Sequence, residues 1–99
     1  MSARSTQELL VIMRELKPKI MKRYKAKQIE LFGSIVRGEQ SGASDIDLLV
    51  EFEEGADLFD LTGLAIFLEE ELGRKVDVVP KRALREELRQ SVLREAVLV

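Results

Sequence analysis

A chain of 99 residues with 45% hydrophobic and 34% charged side chains has the make-up of one ordinary globular domain, spanning 1–99, and is too short for a second core. It has no cysteine and no histidine, which excludes disulfides, thiolate or imidazole metal sites, cysteine nucleophiles and a histidine general base. Sixteen basic against eighteen acidic residues leave a net charge of −2, so no overall positive field draws the chain to nucleic acid; with neither a signal-like run nor the roughly 20 apolar residues of a membrane span, a cytoplasmic location is expected.

In chain order, Ser5-Thr6-Gln7-Glu8 reads as a capping box, and Leu9, Met13, Leu16, Ile20 and Tyr24 follow at helical spacing. Pro18 removes a backbone donor inside that stretch, which predicts an end or a kink near Leu16, with Pro18 opening a second piece. Gln28 to Phe32 is a short alternating run stopped by Gly33, and Asp45 to Phe52 is a clearer one that places Ile46, Leu48, Val50 and Phe52 on one face. Both are predicted strands, joined by a polar loop over Gly38 to Ser44. Asp57 caps a helix carrying Leu61, Leu64, Ala65, Leu68 and Leu72, with Gly73 as its left-handed stop. Lys75 to Val79 supplies a third strand ended by Pro80, after which Leu84, Leu88, Val92 and Ala96 at spacing four predict a closing helix. This order predicts an α/β (α+β) fold, a small sheet with helices packed on it, and leaves the strand directions open.

The second strand carries the chemistry. Its alternation sends Asp45 and Asp47 together to the face opposite the apolar residues, about 7 Å apart. Like charges that close repel, and a divalent cation between them resolves the conflict; oxygen ligands favour magnesium or manganese over zinc, with substrate phosphates completing the shell. An isolated Asp-x-Asp on a half-exposed sheet more often simply faces solvent. Upstream, Gly33-Ser34 follows a strand and opens a helical turn, where backbone N–H groups hold phosphate oxygens; Ser34 adds a hydroxyl and Arg37, one turn later, a guanidinium. The bland account is a plain strand-to-helix turn with Ser34 as its N-cap and Arg37 in solvent. Asp77 interrupts the β-branched run Val76-Asp77-Val78-Val79; beside the second strand it would add a third acid and a general base for a hydroxyl, and otherwise it is an exposed edge-strand aspartate.

Leu31-Phe32-Gly33-Ser34, ten residues, then Asp45-Ile46-Asp47-Leu48-Leu49-Val50 resembles the Gly-Ser-x10-Asp-x-Asp signature of nucleotidyltransferases of the DNA polymerase beta superfamily. The short chain, Arg37-Gly38 within the spacer, Ser44 before the acids, Asp77 in a following strand and the closing Leu93-Arg94-Glu95-Ala96-Val97 are similar to the minimal nucleotidyltransferase (MNT) group in particular. The resemblance implies a mixed sheet flanked by helices and ATP as substrate with two Mg2+ ions, Mn2+ being an alternative. It further implies Asp45, Asp47 and Asp77 as catalytic and metal-holding carboxylates, with Asp77 activating the attacking hydroxyl, and Gly33, Ser34 and Arg37 on the nucleotide. Many members carry arginine directly after Gly-Ser; here Ile35 and Val36 precede Arg37, one cation fewer near the phosphates.

Minimal members are commonly paired with a HEPN-domain RNase toxin, on which they transfer AMP to a tyrosine. The resemblance therefore implies an antitoxin of a type II toxin-antitoxin pair in a hetero-oligomer, with no direct nucleic-acid or membrane partner. The alternatives are an antitoxin that neutralises by binding alone, and a subunit that modifies a small molecule such as an aminoglycoside. Leu58-Phe59, the second apolar side of the Leu61 to Leu72 helix and Val97-Leu98-Val99 are candidate partner surfaces, core packing being the plainer account of each. Arg82, Arg85, Arg89 and Arg94 among glutamates read as a solvated face.

Overall fold

The computed structural model describes residues 6–38 and 45–99, so Ser5, Ser44 and all but the first residue of the predicted polar loop lie outside the described residues. The elements are α1 (Thr6–Tyr24), β1 (Ala26–Phe32), α2 (Ser34–Arg37), β2 (Ile46–Phe52), α3 (Leu58–Leu72), β3 (Val76–Pro80), a 3-10 turn (Lys81–Ala83), α4 (Glu86–Glu95) and β4 (Val97–Leu98).

The first helix does not end near Leu16: α1 runs through Pro18. Proline there leaves the Arg14 carbonyl without its helical donor. Both residues lie on the exposed side, which leaves that carbonyl open to solvent, while Met13 and Ile20 on the other side are fully buried and hold both halves of the helix to the core. The α3 boundaries follow the predicted signals. Asp57 accepts from the Asp60 N–H at 3.1 Å, Asp60 accepts from the Asp57 N–H at 3.0 Å, and Gly73 ends the helix at φ 66°.

The sheet is mixed, in the order β3-β2-β1-β4, with β1 antiparallel to both β2 and β4 and β2 parallel to β3. The parallel pair is joined by the α3 crossover, as a parallel connection requires. Ile46, Leu48 and Val50 face the same core as Leu9, Met13 and Ile20 of α1 and the Leu64, Leu68 and Leu72 stripe of α3. Their opposite face is thereby left to polar residues, apart from Leu49, which is also buried.

The C-terminal segment departs from expectation. Leu84 and Ala96 flank α4 and do not extend it, and α4 contributes no fully buried side chain. A two-residue strand is too short to show a period, so β4 was not legible, yet Val97 and Leu98 pair with Leu31 and Glu30. The Val99 N–H donates to the Ile29 carbonyl at 2.9 Å, and its side chain is core, at 4% exposure. Arg14 and Lys17 of α1 donate to the Leu98 and Val99 carbonyls at 3.2 and 3.0 Å. Among the described residues no helix is long and apolar enough to cross a membrane.

Candidate active site

Register brings the acids together. Asp47 is paired with Asp77 across the parallel β2–β3 ladder. Because Val76 and Val78 turn to the core, Asp77 emerges on the face that Asp47 occupies. Asp77 lies on an edge strand and is exposed, as its bland account held, and it also neighbours Asp47, which that account did not require. Asp45, exposed, stands one residue before β2. The antiparallel partner of Asp47 is Phe32, so the chain leaving β1 turns directly over that carboxylate.

Gly33 makes the turn at φ 83°, and a Cβ there would lie 2.3 Å from Asp47 Oδ2. Only glycine fits both demands. Gly33, not Ser34, is the N-cap of α2, and no side chain caps it; Ser34 is the first helical residue. The Val36 and Arg37 N–H groups donate to the Gly33 carbonyl at 3.1 and 3.2 Å, and Thr6 Oγ1 donates to the Ile35 carbonyl at 2.6 Å, anchoring the turn to α1.

The electrostatics are those of crowded acids. Burial raises the Asp47 carboxyl above its ordinary value, and the negative charges of Asp77, Asp45 and Glu95 raise it further, against the opposing pull of Arg37. Arg37 is exposed, as its bland account held, yet it is also engaged: its Nη1 donates to Glu95 Oε1 and Oε2 at 3.0 and 3.1 Å, and the Gly33 N–H donates to Glu95 Oε1 at 3.0 Å. One backbone donor expected to hold phosphate is thus taken by a carboxylate. Glu95 had no assigned role in the sequence. It lies 62 residues from Gly33, beyond the reach of any local spacing rule.

Three carboxylates on one sheet edge, with no sulfur or imidazole donor nearby, are the ligand chemistry of a hard divalent cation. Among the described residues no three acid side chains are gathered tightly enough to cage a metal unaided. Magnesium does not demand that, since it commonly takes one or two carboxylates with phosphate oxygens and water. Elsewhere, a cleft of about 480 Å³ opens between the far ends of β2 and β3 and the start of α3, lined by Phe52, Leu58, Leu61, Pro80 and Arg82, and it includes none of the predicted site residues.

Comparison with known proteins gives the family. The nucleotidyltransferase domain model matches residues 13–99. The protein adenylyltransferase MntA of Thermococcus cleftensis is 38% identical over 99 residues, the full length of both chains. A solved structure described as a minimal nucleotidyltransferase superposes with a TM-score of 0.84 at 42% identity, covering 100% of each chain. An MNT antitoxin in complex with a tri-AMPylated HEPN toxin of Shewanella oneidensis has a TM-score of 0.64 at 25% identity, over 90% of this chain and 69% of that one. With the domain model matched over residues 13–99, a relative 38% identical over its full length and a solved structure superposing over the whole chain, this chain belongs to the nucleotidyltransferase domain family.

Proposed function

We propose that this chain is a metal-dependent protein adenylyltransferase and the antitoxin of a type II HEPN/MNT pair, which moves AMP from ATP onto a tyrosine of its cognate HEPN-domain toxin. The observation that carries the reading is the in-register pairing of Asp47 with Asp77 beneath the Gly33 turn. It sets carboxylates from two separate strands side by side, with Asp45 immediately before β2. The kinship with MntA and with the MNT antitoxin of an AMPylated HEPN toxin supports the choice of reaction and partner.

Asp45, Asp47 and Asp77 would hold two magnesium ions, which when bound supply neutralisation of the triphosphate and of the departing pyrophosphate. Without a counter-cation the acids would repel the nucleotide, so binding of ATP and of metal is coupled. Ser34 offers its hydroxyl to the triphosphate, and the Gly33 turn lets the nucleotide approach the backbone closely. The tyrosine oxygen forms its bond to the α-phosphorus as the bond to pyrophosphate breaks, and Asp77 accepts the phenolic proton. The toxin brings the tyrosine, so the complex is a hetero-oligomer. Leu58 and Phe59, at 73% and 87% exposure, are not core residues and remain open to a partner.

The test is incubation with the cognate HEPN protein, Mg2+ and α-labelled ATP, followed by mass spectrometry of the partner. Added AMP on a tyrosine, lost in the folded Asp45→Asn, Asp47→Asn double variant, is expected. Undiminished transfer by that variant would overturn the reading. Label on a small molecule would favour the aminoglycoside-type alternative, and full protection of cells by the inactive variant would favour neutralisation by binding alone.

A further inference from the structure

Glu95 is held from behind as well as in front. It is the last residue of α4, and the chain immediately after it is locked to the sheet by β4, to the core by Val99 and to α1 by Arg14 and Lys17. Its side chain is only 25% exposed, and its two oxygens take three hydrogen bonds, two from the Arg37 guanidinium and one from the Gly33 amide. Three bonds from two partners fix where this side chain sits, and the one from the uncharged Gly33 amide needs only an acceptor oxygen at that distance. The Gly33 amide belongs to the residue that packs on Asp47 Oδ2 with no room for a Cβ, so a shift of that amide is a shift against Asp47. A mechanical line therefore runs from the C-terminal segment through Glu95 to the turn and on to the acid edge.

We propose that Glu95 is a positioning residue for nucleotide transfer: through the Gly33 amide and Arg37 it fixes the spacing between the Ser34 hydroxyl and Asp47 that a metal-bound triphosphate must bridge. This rests on the adenylyltransferase reading. The rival role for a carboxylate in this place is electrostatic, a fourth negative group that repels or displaces the nucleotide, and the two roles respond oppositely to a matched pair of variants. Glu95→Gln keeps the length and an acceptor oxygen but removes the charge. Glu95→Asp keeps the charge but is one methylene too short to reach both the Gly33 amide and Arg37.

Mg-ATP binding by calorimetry, ATP-dependent AMP transfer to the HEPN partner and thermal unfolding are measured on all three proteins. Positioning predicts Glu95→Asp weakened about tenfold in Mg-ATP affinity, with KM for ATP raised in parallel and kcat changed less, while Glu95→Gln stays within about threefold of wild type. Melting temperatures should not follow that order. Tighter binding by Glu95→Gln with an unaltered Glu95→Asp would overturn the proposal in favour of repulsion. Equal behaviour of both variants, or affinity losses that merely track melting temperature, would overturn it too. A wild-type chain indifferent to Mg-ATP would sink the adenylyltransferase reading itself and, with it, this role.

Discussion

The two ends of the β2–β3 pair are built from opposite materials. At the N-terminal end Asp45, Asp47 and Asp77 crowd one edge under a glycine turn, and the Asp47 carboxyl is pushed up by burial and by its neighbours. At the C-terminal end Phe52, Leu58, Leu61 and Pro80 line an open cleft. The cleft and the crowded acids thus lie at opposite ends of one sheet. The cleft is not where like charges crowd, and a carboxylate perturbed by burial and by like charges is a sign of a functional site.

Several changes break or sharpen that contrast. The largest effect is expected at the turn: Gly33→Ala forces a Cβ into Asp47 Oδ2 at a φ that L side chains rarely adopt, and AMP transfer should fall at least 10²-fold, with a stability loss of roughly 1–3 kcal/mol by denaturant unfolding. Asp77→Asn should lower the transfer rate by about 10²–10⁴-fold, as expected of a lost general base, with a smaller effect on Mg-ATP affinity; single-turnover kinetics beside calorimetry will separate the two. In the core, Leu64→Ala should cost about 2–5 kcal/mol, whereas Phe59→Ala at the far end should cost under about 0.5 kcal/mol, since the ring is almost fully exposed.

In stability, Asp47→Asn gives the most diagnostic change. Because the folded-state pKa is raised, the folded protein holds this proton more tightly than the unfolded chain does. Stability therefore falls as pH rises from the ordinary aspartate range through the folded value, and at neutral pH the full penalty is present. Metal-free Asp47→Asn should melt higher than wild type at pH 7, with the gap closing as the pH drops below the unfolded-state value near 3.8.

Much of this was legible in the sequence, for identifiable reasons. Period-2 alternation is a local signal, and it placed Ile46, Leu48 and Val50 in the core and Asp47 opposite them. Caps are local too, so Asp57 and Gly73 bounded α3 correctly. What failed or stayed silent was non-local. Whether α1 survives Pro18 depends on which side of the helix the orphaned carbonyl faces. The adjacency of Asp77 depends on strand order, to which a single strand is blind, and the grip of Glu95 on Gly33 and Arg37 depends on a two-residue strand with no period at all. Sequence thus located the acids and the turn, but only the packed chain revealed what holds them in register.

The most direct measurement is paramagnetic broadening of backbone amide signals by Mn2+ in the presence of a non-hydrolysable ATP analogue. The acid-edge account predicts that signals of Gly33, Ser34, Asp45, Ile46, Asp47 and Asp77 vanish first, and that they return when Asp45 and Asp47 are changed to Asn. Broadening centred on Glu51, Glu53 and Glu54 at the opposite end of the strands, or spread evenly over the surface, would contradict it.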